Sequence, residues 1–275
     1  MLEPEMVNSS DAYLISKARD EYNVKIVPIT LQTSWAVSRN KLHAAIQFFP
    51  VNQQCIQLRE AESYTKLLAF NQTQYDRVLS VDSESVLLQA IDELFTLPPA
   101  PVAMPRAYWI FPQKLLSSHV MLIKPSKTEL TRIMERVQAA VYGEYDMEIV
   151  NQLYRDSALM FPHRRYALLS GEFCNDNHTL HLGSGIEVWD PVSVYSEAKL
   201  IHFSDWPLPK PWKPIAEEKR LEVQPNCTRT ADGMEDCTGR TIWNRLYTDF
   251  SAKRKEICDH ERTSDNPSLD KSMSH

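Results

Sequence analysis

Two acids spaced i, i+2, Asp82 and Glu84, follow the apolar run Val78-Leu79-Ser80-Val81. A short buried strand that ends in acids at this spacing directs two oxygen ligands at one hard cation. In open α/β sheets, ligands bind beyond the carboxyl ends of the strands. The same pattern also suits a helix N-cap followed by a first-turn acid. Local sequence leaves both readings open.

The elements that must position these acids can be read from hydrophobic periodicity. Asp11 to Tyr22 has Leu14, Ile15 and Ala18 at helical spacing, and Val24 to Ile29 reads as a strand edged by Pro28. Ser63 to Thr73 is expected to be a helix with Tyr64, Leu67, Leu68 and Phe70 inward. Leu97 to Trp109 suggests a short strand running into a solvated loop that holds Arg106 and Tyr108. Leu115 to Pro125 reads as a strand, with His119, Met121 and Ile123 on one face and Val120 and Leu122 on the other. Here His119 is expected to be packed or exposed.

Ser126 with Glu129 at N3 makes a capping box. It opens an amphipathic helix to Val141 with the stripe Leu130, Ile133, Met134 and Val137. Asp146 can cap the next helix, serve a site, or do both. His163-Arg164-Arg165 reads as a surface basic cluster, within a stretch, Leu159 to Phe173, whose strand reading rests on the family resemblance given below. Asn175 to Pro191 reads as a loop. Lys199 to Phe203 is a strand ending near His202, and Pro207, Pro209 and Pro211 impose an extended path after it. Asp236 to Cys258 is one amphipathic helix capped near Asp236 or Thr238, and the polar stretch from His260 onward is expected to be disordered.

Several of these stretches resemble glycosyltransferase family 8, the glycogenin and galactinol synthase family. YDRVLSVDSESVLLQAIDELF (Tyr75 to Phe95) is similar to its Asp-Xaa-Asp region, with Glu84 in place of the second Asp. LLSSHVMLIKP resembles "FNAGVMLI.P", with Ser117 at the Asn position. Tyr145 to Tyr154 resembles "xDQdiLN.l", with Met147 replacing Gln, and Ala198 to Trp212 resembles "HF.G..KPW". SYTKLLAFNQT is similar to a family helix whose lysine approaches the donor sugar. The wording PPAPVAMPRAYW resembles a fungal branch that contains α-N-acetylglucosaminyltransferase-like proteins.

The resemblance implies an α/β fold, a GT-A-type Rossmann-like mixed sheet flanked by helices, over residues 1–215. An insertion is expected near 34–62, and residues 216–275 form a C-terminal extension with one helix. The first βαβ unit of the family is expected to be missing from the chain. The implied activity is retaining transfer of GlcNAc or glucose from a UDP-sugar to a glycan or other hydroxyl acceptor. Mn²⁺ or Mg²⁺ would be held by Asp82, Glu84 and His202. Lys66, Ser117 and Lys210 would bind the donor, and Asp146 would serve the sugar and acceptor. The alternative is a truncated or degenerate relative that binds without catalysing.

Composition bounds the remaining classes. The 275 residues are 43% hydrophobic, so a sizeable core can form. A net charge of −6 gives no basic footprint for nucleic acid. Six glycines and the absence of G-x-G-x-x-G, P-loop and H-E-x-x-H patterns argue against a Gly-rich phosphate loop or a zincin. No membrane-spanning segment or signal peptide is expected in this chain. Sequons at Asn8, Asn71, Asn177 and Asn226, and the late cysteines Cys227, Cys237 and Cys258, fit a lumenal protein with a disulfide pair, and the cysteines equally fit free thiols in a cytosolic one. The family resemblance points to the Golgi lumen, and the lack of an anchor to the cytoplasm if the chain is complete.

Overall fold

The computed structural model describes residues 9–27, 29, 32, 63–141, 143–230 and 232–258. The expected insertion near 34–62, the Asn8 sequon and the polar tail lie outside the described residues. The chain divides into two compact units, Met1–Ser204 and Asp205–His275.

The first unit is built around β4, Val120–Ile123, whose four residues are all buried. β1 (Val78–Val81) pairs antiparallel to it from Val78↔Ile123 to Val81↔Val120. β3 (Val102–Pro105) lies on its other side and pairs in parallel with β5 (Leu159–Phe161), giving the order β1-β4-β3-β5. A strand buried on both faces needs apolar residues at every position, because alternate side chains enter opposite layers. Met121 and Ile123 pack with Val102, Met104, Tyr64, Phe70 and Ile133. Val120 and Leu122 enter a second cluster with Ala103, Leu94 and Leu200. Each such side chain contributes on the order of 1.5–3 kcal/mol of burial. A three-stranded sheet of β2 (Ser85–Leu87), β7 (Leu200–His202) and β6 (Leu168–Leu169), ordered β2-β7-β6, adjoins the first through the turn after Val81.

Helix Lys127–Gln138 starts where expected: the Ser126 hydroxyl accepts the Glu129 N–H, and Ile133 and Val137 are buried. The Ser63–Asn71 segment is helical but of the 3₁₀ type. Its period of three aligns Tyr64, Leu67 and Phe70 on the buried face and leaves Leu68, expected inward, only half-buried.

Several expectations are corrected. Among the described residues, 24–27 join no ladder; Val24 N–H closes back on the Ala18 carbonyl at 2.9 Å, and Val24 is exposed. β-branched composition does not make a strand without a neighbouring strand to bond. The strand expected over Leu159–Phe173 is only three residues long. Pro162, which lacks an N–H for a ladder, opens the short helix His163–Tyr166 instead. Tyr108 is buried rather than in a solvated loop. The Asn175–Pro191 stretch contains a short helix, Thr179–Leu182.

The second unit holds helix Glu217–Val223, the hairpin β8 (Thr228–Arg229) and β9 (Glu235–Asp236), and helix Thr238–Cys258. Cys227 and Cys237 form a disulfide across the hairpin, and Cys258 is not disulfide-bonded. The long helix is started by Asp236, whose Oδ1 accepts the Thr238 N–H. Trp243 and Tyr247 are buried and both donate to the buried Asp205, at 2.9 and 2.6 Å. Among the described residues, no helix is long and apolar enough to cross a membrane.

Candidate functional site

Asp82 stands one residue beyond β1, and its backbone N–H donates to the His119 carbonyl at 2.9 Å. That bond continues the β1–β4 ladder past its last pair. It places Asp82 and His119 side by side at one end of the four-stranded sheet. The second sheet brings His202: Ser85 pairs with His202, and the Phe203 N–H donates to the Glu84 carbonyl at 2.8 Å. The Ser85 hydroxyl lies 3.4 Å from His202 Nδ1. Ligand atoms of Asp82, His119 and His202 all fall within 4.8 Å of one another. This convergence of one carboxylate and two imidazoles suits a divalent cation.

Glu84 sits just outside that trio, with Oε2 3.8 Å from His202 Nε2. His119 and His202 stack in parallel, with ring centroids 3.7 Å apart, and Trp109 stacks on His119 at 5.2 Å. Ser117 is fully buried, and its hydroxyl accepts the His119 N–H at 3.2 Å.

On the other side of Asp82 lies a compact charge network. Lys66 Nζ is 2.7 Å from Asp82 Oδ1, 2.7 Å from Asp146 Oδ2 and 3.4 Å from the Ser118 carbonyl. Of the two roles open to Asp146, capping is taken by its neighbour Tyr145. Asp146 is the first residue of helix Asp146–Tyr154, buried, with its N–H donated to the Ser63 hydroxyl. Its carboxylate is thereby turned toward Lys66. Burial alone would lower the Lys66 pKa, but the two carboxylates more than reverse this and raise it. Asp82 is raised by burial, against the pull of Lys66 and with the help of the Asp146 and Glu84 charges. Losing the Lys66 cation would therefore leave two neighbouring acids in a poorly solvated place.

Of the residues singled out in the sequence, the structure brings together Lys66, Asp82, Glu84, Ser117, Asp146 and His202. Lys210 belongs to the second unit, in a turn closed by the Lys213 N–H to its carbonyl at 2.8 Å. The basic cluster His163-Arg164-Arg165 is partly consumed internally: Arg164 pairs with Glu187 and Glu197. Sequence reasoning alone misses His119. A signal for it exists, because the "FNAGVMLI.P" pattern has glycine where this chain places an imidazole.

Comparison with known proteins gives a consistent direction. The chain is 48% identical over 271 residues to "Glucose N-acetyltransferase 1" of Gibberella zeae, covering 94% of this chain and 54% of that protein. It is 47% identical over 215 residues to the protein of the same name from Aspergillus fumigatus, covering 74% of this chain and 56% of that one. The chain thus spans about half the length of the curated relatives it matches. No family model matches it. Among solved structures, the WbbM bifunctional glycosyltransferase in its apo form superposes with a TM-score of 0.51 at 14% identity, over 91% of this chain and 44% of that one. The fold is the mixed α/β fold of GT-A glycosyltransferases, as expected.

Proposed function

We propose that this chain carries the catalytic core of a nucleotide-sugar-dependent glycosyltransferase that works with a divalent cation. The observation that carries this reading is the meeting of Asp82, His119 and His202 from two sheets, linked through Lys66 to Asp146. The relatives' name, glucose N-acetyltransferase, and the family 8 resemblance favour GlcNAc, from a UDP donor, as the transferred sugar and a glycan as acceptor. Retention of anomeric configuration belongs to the same reading, as does a Golgi lumenal site. The Cys227–Cys237 bond fits an oxidising compartment.

The residues suit the cation chemically: a carboxylate and two imidazoles converge, and Asp82 is held at the end of a backbone ladder. A bound divalent ion neutralises the charge that develops on a leaving diphosphate. The protein's own groups do the rest. Asp82 and His202 fix the cation end of the cleft. Lys66, shared between Asp82 and Asp146, stands ready to exchange one carboxylate for a donor hydroxyl or phosphate oxygen. Asp146, freed of part of that pairing, accepts a hydrogen bond from a sugar hydroxyl and orients it. Lys210 is assigned to the diphosphate by the family resemblance alone.

The test is calorimetric titration with UDP in the presence and absence of Mn²⁺. Metal-dependent binding, lost in Asp82→Asn, supports the proposal; no binding at millimolar UDP with or without metal overturns it. A non-catalytic binding module is the second reading. It is favoured by Ser117, which replaces the Asn of the resembling family's donor-binding pattern and whose hydroxyl accepts the His119 N–H.

A further inference from the structure

We propose that His119 is itself a cation ligand, so that this chain holds its ion on two imidazoles and one carboxylate and selects transition-series divalent ions over Mg²⁺ and Ca²⁺. The inference rests on the divalent-cation site proposed above and assigns it a donor set that the Asp82/Glu84 spacing does not contain.

Three observations carry it. The mutually close trio is Asp82, His119 and His202, and Glu84 is not a member. Glu84 instead places its Oε2 3.8 Å from His202 Nε2, beyond hydrogen-bond length and outside the trio. The second observation is that His119 is held in place from three directions. Its carbonyl accepts the Asp82 N–H, its own N–H is taken by the buried Ser117 hydroxyl, and its ring lies between the planes of Trp109 and His202, each 9° from parallel. The third is its address. His119 lies one residue before β4, directly across the ladder from the acid that follows β1, so the strand pairing itself sets its distance to Asp82. The other three-group cluster among the described residues, Cys227, Glu235 and Cys237, is no rival, because its two sulfurs are bonded to each other.

The chemistry of selection follows. Mg²⁺ and Ca²⁺ are hard ions that prefer oxygen ligands, and Mg²⁺ gives up its water reluctantly. Imidazole nitrogen suits Mn²⁺ less than Co²⁺ or Zn²⁺, in the usual order of first-row affinities, but suits all three better than Mg²⁺. Replacing a second carboxylate by a neutral imidazole also removes one negative charge from the site. That weakens the hard ions most, since their binding is almost wholly electrostatic. The two rings stack face to face, so closing on one ion requires them to splay, and Trp109 rests on the ring that moves.

The test uses the full chain stripped of metal by chelation. Mn²⁺, Co²⁺ and Mg²⁺ are titrated in separate calorimetric experiments, and the Mn²⁺ form is examined by pulsed electron paramagnetic resonance for coupled ¹⁴N nuclei. The expected result is Co²⁺ and Mn²⁺ affinities at least about tenfold above that for Mg²⁺, with two coupled imidazole nitrogens. His119→Gln should remove one nitrogen and weaken Mn²⁺ and Co²⁺ by about tenfold or more while leaving Mg²⁺ nearly unchanged. His119→Gly, the residue in the resembling pattern, is the second variant should Gln disturb packing, and circular dichroism checks both. An unchanged two-nitrogen spectrum in these variants, or equal Mg²⁺ and Mn²⁺ affinities in the parent, overturns the assignment of His119. Retention of all cation affinity in Asp82→Asn overturns the underlying site instead.

Discussion

Lys66 Nζ lies 2.7 Å from Asp146 Oδ2, although eighty residues separate them in the chain. The same nitrogen is equally close to Asp82, so one cation serves two acids that the fold has partly withdrawn from water. Lys66→Met removes that cation and keeps most of the stem. It should destabilise the first unit by about 2–3 kcal/mol, somewhat below the cost of breaking a fully buried pair, because Lys66 and Asp82 keep some solvent access. Urea unfolding measures this. The double variant Lys66→Met/Asp146→Ala should recover part of the loss; strictly additive losses would show that the two residues are not coupled.

His181 gives the chain a defined acid sensitivity. It is fully buried, neither ring nitrogen has a hydrogen-bond partner, and Tyr108 and Trp189 meet it edge to face. Burial pushes its pKa down to about 3, helped by the nearby His163, Arg164 and His178. An unfolded histidine titrates near 6.5. Between those two values the unfolded chain binds more protons at this position, so stability falls as pH drops through that window. The slope is at most about 1.4 kcal/mol per pH unit from this residue. His163, whose pKa burial also lowers, adds in the same direction. His181→Phe should flatten the dependence between about pH 7 and about pH 5 without loss of stability at the upper end, as denaturant melts at the two values will show.

In the second unit, Asp205 accepts the indole N–H of Trp243 and the hydroxyl of Tyr247. Asp205→Ala leaves both donors buried without that acceptor. A loss of about 2–4 kcal/mol is expected, since each stranded donor costs on the order of 1–2 kcal/mol. Loss of hydrogen-exchange protection along helix Thr238–Cys258 should accompany it. Full protection in the variant would argue that solvent or another group takes over.

Reduction of Cys227–Cys237 should be mild. The bond closes a loop with a sequence separation of 10, and chain-entropy arguments give a little under about 3 kcal/mol as a ceiling. Melts with and without reductant, compared with Cys227→Ser/Cys237→Ser, read this out. A larger loss would mean that the hairpin supports more of the unit than its own two strands.

Much of this architecture is written locally. The unbroken apolar run Val120–Ile123 announces a strand buried on both sides, and its odd and even residues do enter different clusters. Ser126 and Glu129 mark a helix start that forms as expected. The paired carboxylates are legible only as one of two readings, because an acid after an apolar run is equally a cap. What the chain does not disclose is relational. Nothing local in Val24–Val27 says that it pairs with no strand among the described residues, and nothing in the spacing of Tyr64 and Leu68 says that the segment winds with a period of three. His119 escapes notice for the same reason. Its importance comes from the register that sets it opposite Asp82, and register belongs to two strands at once.

The candidate ligands ride on different supports: Asp82 and His119 on the four-stranded sheet, His202 on the three-stranded one. An ion gripped by all three would rivet the sheets together, and any slippage between them would be felt first as a loosened grip. Substitutions of Leu94 or Leu200, which are buried in the apolar cluster with Val120 and Leu122, would then register as altered cation affinity before they register as unfolding.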